Sequence, residues 1–226
     1  MLYGGGTGFC HVMYGADPCR NDNGKMVRRV WSETRERYAF AYPAQANAAI
    51  AKIAELSARG LDVYVATSLM RTDAWRSKVQ VASLWCLHAD LDNGVISPAY
   101  EHLWCAVSTE TSGHHHVYVP LSEPVTGAEF EALQDALVRL PHVKTCGNDV
   151  LRPPWTPNFK PTVDHDEPTQ VWWVMRRTMR INPRELAQFL GVDLDNCKTG
   201  SATASANGQQ PYDGGPINLA LDPKVL

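Results

Sequence analysis

The chain has 226 residues, 44% hydrophobic and 20% charged, the proportions of a folded globular protein, which excludes wholesale disorder. With 21 Lys and Arg against 24 Asp and Glu, the net charge is −3. A strongly basic nucleic-acid coat protein is thereby excluded, but an enzyme with only a local basic stripe is not. No apolar run reaches the roughly 18 residues of a membrane span, and the N-terminus MLYGGGTGFCH lacks the basic start and apolar stretch of a signal peptide. A cytoplasmic protein is expected. The cysteines are scattered without a C-x-x-C pair, which fits reduced thiols. Cys86 and Cys105 lie in apolar runs and read as small core residues. Cys10, His11 and Cys19 are zinc-type ligands, but no fourth stands at a matching spacing.

Along the chain, residues 1–31 are Gly-rich and aperiodic and read as irregular loop. GGGTG at 4–8 has the look of a phosphate loop, yet no Lys-Ser/Thr follows it and no strand precedes it, so it reads as a flexible segment. A helix is expected over 43–59, with Pro43 in its first turn, Gly60 at its end, and Ala46, Ala49, Ile50, Ile53 and Ala54 on one face. LDVYVAT (61–67) reads as a strand, and 70–80 as a basic loop. Three strands follow, at 84–92, 102–108 and 115–121. Thr126 and Glu129 form a capping box for a helix over 127–140, with Phe130, Leu133, Leu137 and Leu140 on its apolar face. A loop with Pro153, Pro154, Pro157 and Pro161 leads to a strand at 170–175. Asn182, Pro183 and Glu185 then open a short helix that Gly191 closes. From residue 197 the composition turns to Ser, Ala, Gly, Asn and Gln, a linker. The expected organisation is one domain over 1–196 and a tail over 197–226. This order suits an α+β fold with an antiparallel or mixed sheet better than a Rossmann fold.

Three clusters carry chemistry. In ADLD (89–92), Asp90 and Asp92 alternate onto one strand face, about 7 Å apart, while Leu87, Ala89 and Leu91 take the other. Paired carboxylates repel, and a divalent cation such as Mg²⁺ or Mn²⁺ relieves them with hard oxygen ligands. Taken alone, D-x-D also suits a strand running into the Asp-Asn-Gly turn at 92–94. In TSGHHHVYVPL (111–121), a Ser112-Gly113 turn leads into a strand with His114, His116 and Tyr118 on one face. Histidines there can contact phosphate, ligate a metal or move protons, or simply form an exposed cluster. In GNDVLRPPWTPNFKP (147–161), Asp149, Arg152 and Lys160 share a Pro-braced loop. Arg grips phosphate oxygens bidentately and Lys adds a point charge. Together the clusters suit a two-metal phosphoryl-transfer site.

In this combination the chain resembles the archaeo-eukaryotic primase (AEP) superfamily, specifically its prim-pol group of phage and plasmid replication proteins. The likeness runs over roughly residues 61–160: an acidic D-x-D at a strand end, a Ser-Gly turn leading to His-x-Tyr, and a third acid ahead of a Leu-Arg-x-Pro-x-Thr-x-Asn-x-Lys string. The resemblance implies an RRM-like catalytic sheet with an N-terminal αβ module packed across a cleft. It implies that Asp90, Asp92 and Asp149 bind two Mg²⁺ or Mn²⁺ ions. His116 would contact the incoming nucleotide's phosphates, with Ser112 and His114 beside it. Arg152 and Lys160 would hold triphosphate or template. The implied activity is DNA primase and polymerase, with nucleoside triphosphates and a single-stranded DNA template as partners and a helicase domain beyond the linker. The family usually has Gly where Trp155 stands, so the backbone of this loop is expected to differ. Asp149 also lies closer to the Leu-Arg pair than the family's third acid. Two other readings compete. An HxH single-strand endonuclease of rolling-circle type would use His114, His116 and a tyrosine, leaving D-x-D unused. A non-catalytic nucleic-acid-binding module would use Trp and Arg stacking.

Overall fold

The computed structural model of the chain describes residues 3–20, 26–31, 38–74, 76–92, 103, 105–108, 114–140, 143–144, 150–158, 169–175 and 179–197. The tail beyond 197 lies outside them. The first described element is a strand, where the sequence reads as loop. Strand β1 (Gly8–Arg20) pairs antiparallel with β2 (Met26–Trp31), β3 (Tyr38–Tyr42), β4 (Asp62–Ala66) and β5 (Leu69–Met70). Its signal is hidden because both faces are covered. Cys10, Val12 and Tyr14 enter one core cluster, while Met13 packs with Tyr64 and Ala66 in another. Burial on both faces removes the two-residue alternation, and Gly8, Gly15 and Pro18 then read as loop.

The Gly-rich segment before β1 is a packed turn rather than a flexible one. Gly4 has φ +52, and a Cβ there would overlap the Trp85 ring. A Cβ on Gly6 would lie 2.7 Å from Trp85 Nε1. These glycines let the backbone approach the indole closely. Tyr3, beside them, donates its hydroxyl to Ala66 O at 2.7 Å and ties the turn to β4.

Helix α1 (Ala46–Ala58) starts three residues later than the pattern suggests, because Pro43 lies in the turn before it. It buries Ala49, Ile53 and Leu56 against the β1 sheet. Then come β6 (Val81–Asp92), β7 (Cys105–Ser108), β8 (His114–Val125), helix α2 (Gly127–Leu137), and the short strands β9 (Val143–Lys144), β10 (Val150–Leu151), β11 (Pro157–Asn158) and β12 (Thr169–Gln170). Strand β13 (Trp172–Met175) and helices α3 (Pro183–Leu190) and α4 (Leu194–Cys197) follow. The main sheet runs β10-β4-β1-β5-β6-β8-β7-β13, with β9 beside β6. Strand β5 thus joins the N-terminal strands to the sheet built on β6 and β8.

The two faces of that second sheet have different neighbours. Leu87, Ala89 and Leu91 of β6, with Val117, Val119 and Leu121 of β8, pack on Leu133 and Leu137 of α2, Leu186 of α3 and Leu194 of α4. Cys86, Cys105 and Tyr118 take the other face and join the cluster holding Val12, Val65, Leu69 and the α1 side chains. Helices on one face and an αβ module against the other is the expected RRM-like arrangement. The expected caps are present. Thr126 Oγ1 accepts the Glu129 amide, and a Glu129 carboxylate oxygen accepts the Thr126 amide at 2.8 Å. Asn182 caps α3, and Gly191 ends it at φ 70.

Candidate active site

β6 and β8 are antiparallel neighbours whose register sets Asp90 opposite His116, Leu91 opposite His115, and Asp92 opposite His114. The two sequence motifs therefore meet across a single pair of strands. On β6, positions 90 and 92 fall on the face opposite to Leu87, Ala89 and Leu91, as alternation requires. His116 Nε2 lies 3.5 Å from Asp90 Oδ1, and both side chains are partly open to solvent. Asp90 Oδ1 is buried and accepts no hydrogen bond from the described residues. A carboxylate oxygen held inward without a donor costs free energy unless a cation or a donor reaches it. A hard divalent cation such as Mg²⁺ or Mn²⁺ fits that donor chemistry. Of Asp92 and His114 the structure describes the strand positions. Ser112, Asp149 and Lys160 lie outside the described residues.

Arg152 has a partner within the fold. Instead of standing open to a ligand it is buried, and its Nη1 donates to Asp62 Oδ1 of β4 at 2.6 Å. Its guanidinium also lies 4.8 Å from the centroid of the Tyr64 ring. Burial opposes its charge, but the Asp62 carboxylate outweighs this and holds the guanidinium above its ordinary range. Neither aspartate nor arginine spacing reveals this pair, because its members lie 90 residues apart. Trp155, three residues on, adopts the left-handed conformation that glycine favours, with φ 67.

Cys10 and His11 are consecutive on β1 and so point to opposite faces, which separates two of the zinc-type ligands. Cys10 accepts a hydrogen bond from Tyr3 Oη at 3.1 Å, and burial pushes its thiol up to about 12. Cys86 and Cys105 are core thiols, as expected.

A cavity of about 940 Å³ lies along the first half of β6, lined there by Val81, Ser83, Leu84 and His88. Thr67, Ser68, Arg71, Arg76, His88 and Phe130 are among its lining residues. His88 precedes Asp90 by two residues on the same strand, about 7 Å along it. Gln134 of α2 holds its backbone from both sides, accepting from the amide at 3.3 Å and donating to the carbonyl. The sequence alone does not single out His88, and it reads 70–80 as a basic loop. The two-residue step from His88 to Asp90 was the signal that places this histidine on the acidic face.

The endonuclease reading needs an accessible tyrosine near the histidines. Tyr118, next along their face, is fully buried in the core.

No family model and no curated protein matches the sequence. Two solved structures are similar in fold. One is the AEP domain of the cyanophage S-2L primase-polymerase, at 14% identity and TM-score 0.52, covering 84% of this chain and 90% of that one. The chain has the AEP primase-polymerase fold. The other is the catalytic domain of the primase Repb' in complex with initiator DNA, at 10% identity and TM-score 0.51, covering 86% of this chain and 92% of that one. In this prim-pol fold, Asp90 and His116 face each other on neighbouring interior strands of the sheet. Among the described residues no helix is long and apolar enough to cross a membrane.

Proposed function

We propose that this chain is the catalytic part of a DNA primase-polymerase, which adds nucleotides to a strand copied from single-stranded DNA. The observation that carries the reading is the facing of Asp90 and His116 across β6 and β8, 3.5 Å apart, in a prim-pol fold. Asp90, Asp92 and Asp149 would hold two Mg²⁺ or Mn²⁺ ions, which supply charge neutralisation for the attacking 3′-hydroxyl and the departing pyrophosphate. His116, beside Asp90, would donate a hydrogen bond to the nucleotide's phosphates, with Ser112, His114 and Lys160 assisting. Arg152 would act from beneath, fixing the loop after Asp149 to β4 through Asp62. The exposed Arg71, which lines the cavity together with His88, suits a phosphate backbone. A phage or plasmid replication protein, working in a host cytoplasm and continuing into a helicase domain, fits this activity.

The test is incubation with single-stranded DNA, labelled nucleotides and Mn²⁺ or Mg²⁺, with and without a primer. Metal-dependent, template-directed incorporation supports the reading. A covalent protein–DNA adduct with no incorporation would overturn it in favour of the endonuclease.

A further inference from the structure

We propose that the Trp155 indole is a stacking platform for an unpaired nucleobase. Among the described residues, Trp155 is the one non-glycine with positive φ. That conformation crowds the Cβ of any L-residue, and a bulky one most. The frame around it is fixed. The Trp155 amide donates to Val171 O at 2.6 Å, the Val171 amide donates to Thr156 O at 2.9 Å, and Thr156 Oγ1 donates to Pro153 O at 2.6 Å. Pro153, Pro154 and Thr156 are buried, so the strained residue sits on a rigid base.

Glycine would satisfy that frame without strain, and the ring is not fully used for packing. Trp155 is 46% exposed while its neighbours on both sides are buried. Strain kept at an exposed position points to function rather than to folding. Trp172 is also exposed, at 44%, and directly follows Val171, the backbone anchor of Trp155. The loop is the one that carries Arg152 and follows Asp149. A rigid, half-exposed indole offers a π-face to any base, with little ordering cost on binding. That a nucleobase arrives here rests on the polymerase reading. The base belongs either to the DNA strand or to the incoming nucleotide.

The test compares Trp155→Gly and Trp155→Phe with wild type in three measurements. These are thermal melting, affinity for a fluorescent single-stranded oligonucleotide, and KM for nucleotide in primer extension. Trp155→Gly should melt at or above the wild-type temperature, because strain is relieved. It should also lose about tenfold or more in oligonucleotide affinity if the base is in the strand, or raise KM by a similar factor if it is in the nucleotide. Trp155→Phe should stay close to wild type in both. Unchanged affinity and KM in the glycine variant would overturn the proposal, as would a clear fall in its melting temperature, which would make the ring a packing residue. A wild type that binds the oligonucleotide through Trp155 but incorporates nothing would uphold the platform and remove the polymerase reading.

Discussion

Replacing Arg152 with Ala would leave Asp62 as a buried carboxylate, 1% exposed, with its 2.6 Å partner gone. Breaking a buried pair by removing one member costs about 3–5 kcal/mol, because the remaining charge keeps its desolvation penalty. Loss of the guanidinium over Tyr64 adds roughly 0.5–2 kcal/mol. For a domain of this size each kcal/mol lowers the melting temperature by about 2–4 °C, so the fall from the broken pair alone should be about 6–20 °C. That is a large share of a total stability of about 5–15 kcal/mol. Thermal and urea denaturation followed by circular dichroism would measure it. The double variant Asp62→Leu/Arg152→Met should recover much of the loss, since an apolar pair of similar volume leaves no stranded charge. If Arg152→Ala melted with wild type and only the nucleotide KM rose, Arg152 would be a ligand-binding residue and the buried-pair account would be wrong.

His116→Ala should cut nucleotide incorporation and raise the nucleotide requirement while Mn²⁺ binding, followed by calorimetry, survives; a parallel loss of Mn²⁺ affinity would make His116 a ligand instead. The buried thiols of Cys10 and Cys86 should resist alkylation at pH 8 and react only after unfolding, because burial raises both. The sign for stability follows from the same shift. An unfolded Cys10 ionises at the ordinary thiol value of 9.0 and the folded one at about 12, so its contribution is intact below pH 9 and falls as pH rises toward 12. Stability measured from pH 8 to 11 should therefore decline less in Cys10→Ala than in wild type.

Much of this fold is legible in the sequence where one face is wet or one cap is local. The capping box at Thr126 and Glu129, the Asn182 cap and the alternation of β6 all rest on neighbours within a few residues. β1 is not legible, because burial on both faces erases the period. The meeting of Asp90 and His116 follows only from strand register, and the sequence offers motifs without saying that they pair. Arg152 shows the limit most clearly. An arginine in a Pro-braced loop has the same local signature whether it faces a phosphate or a buried carboxylate. The choice is made by Asp62, which sits far away in the chain.

The most direct measurement is primer extension on single-stranded DNA by Asp90→Ala beside wild type, with matched circular dichroism. Wild type should extend the primer only with Mg²⁺ or Mn²⁺ present. The variant should keep its fold and lose on the order of a thousandfold in rate, as expected when several kcal/mol of metal-borne charge stabilisation are removed. A folded Asp90→Ala protein extending primers at the wild-type rate would contradict the assignment of this carboxylate to catalysis.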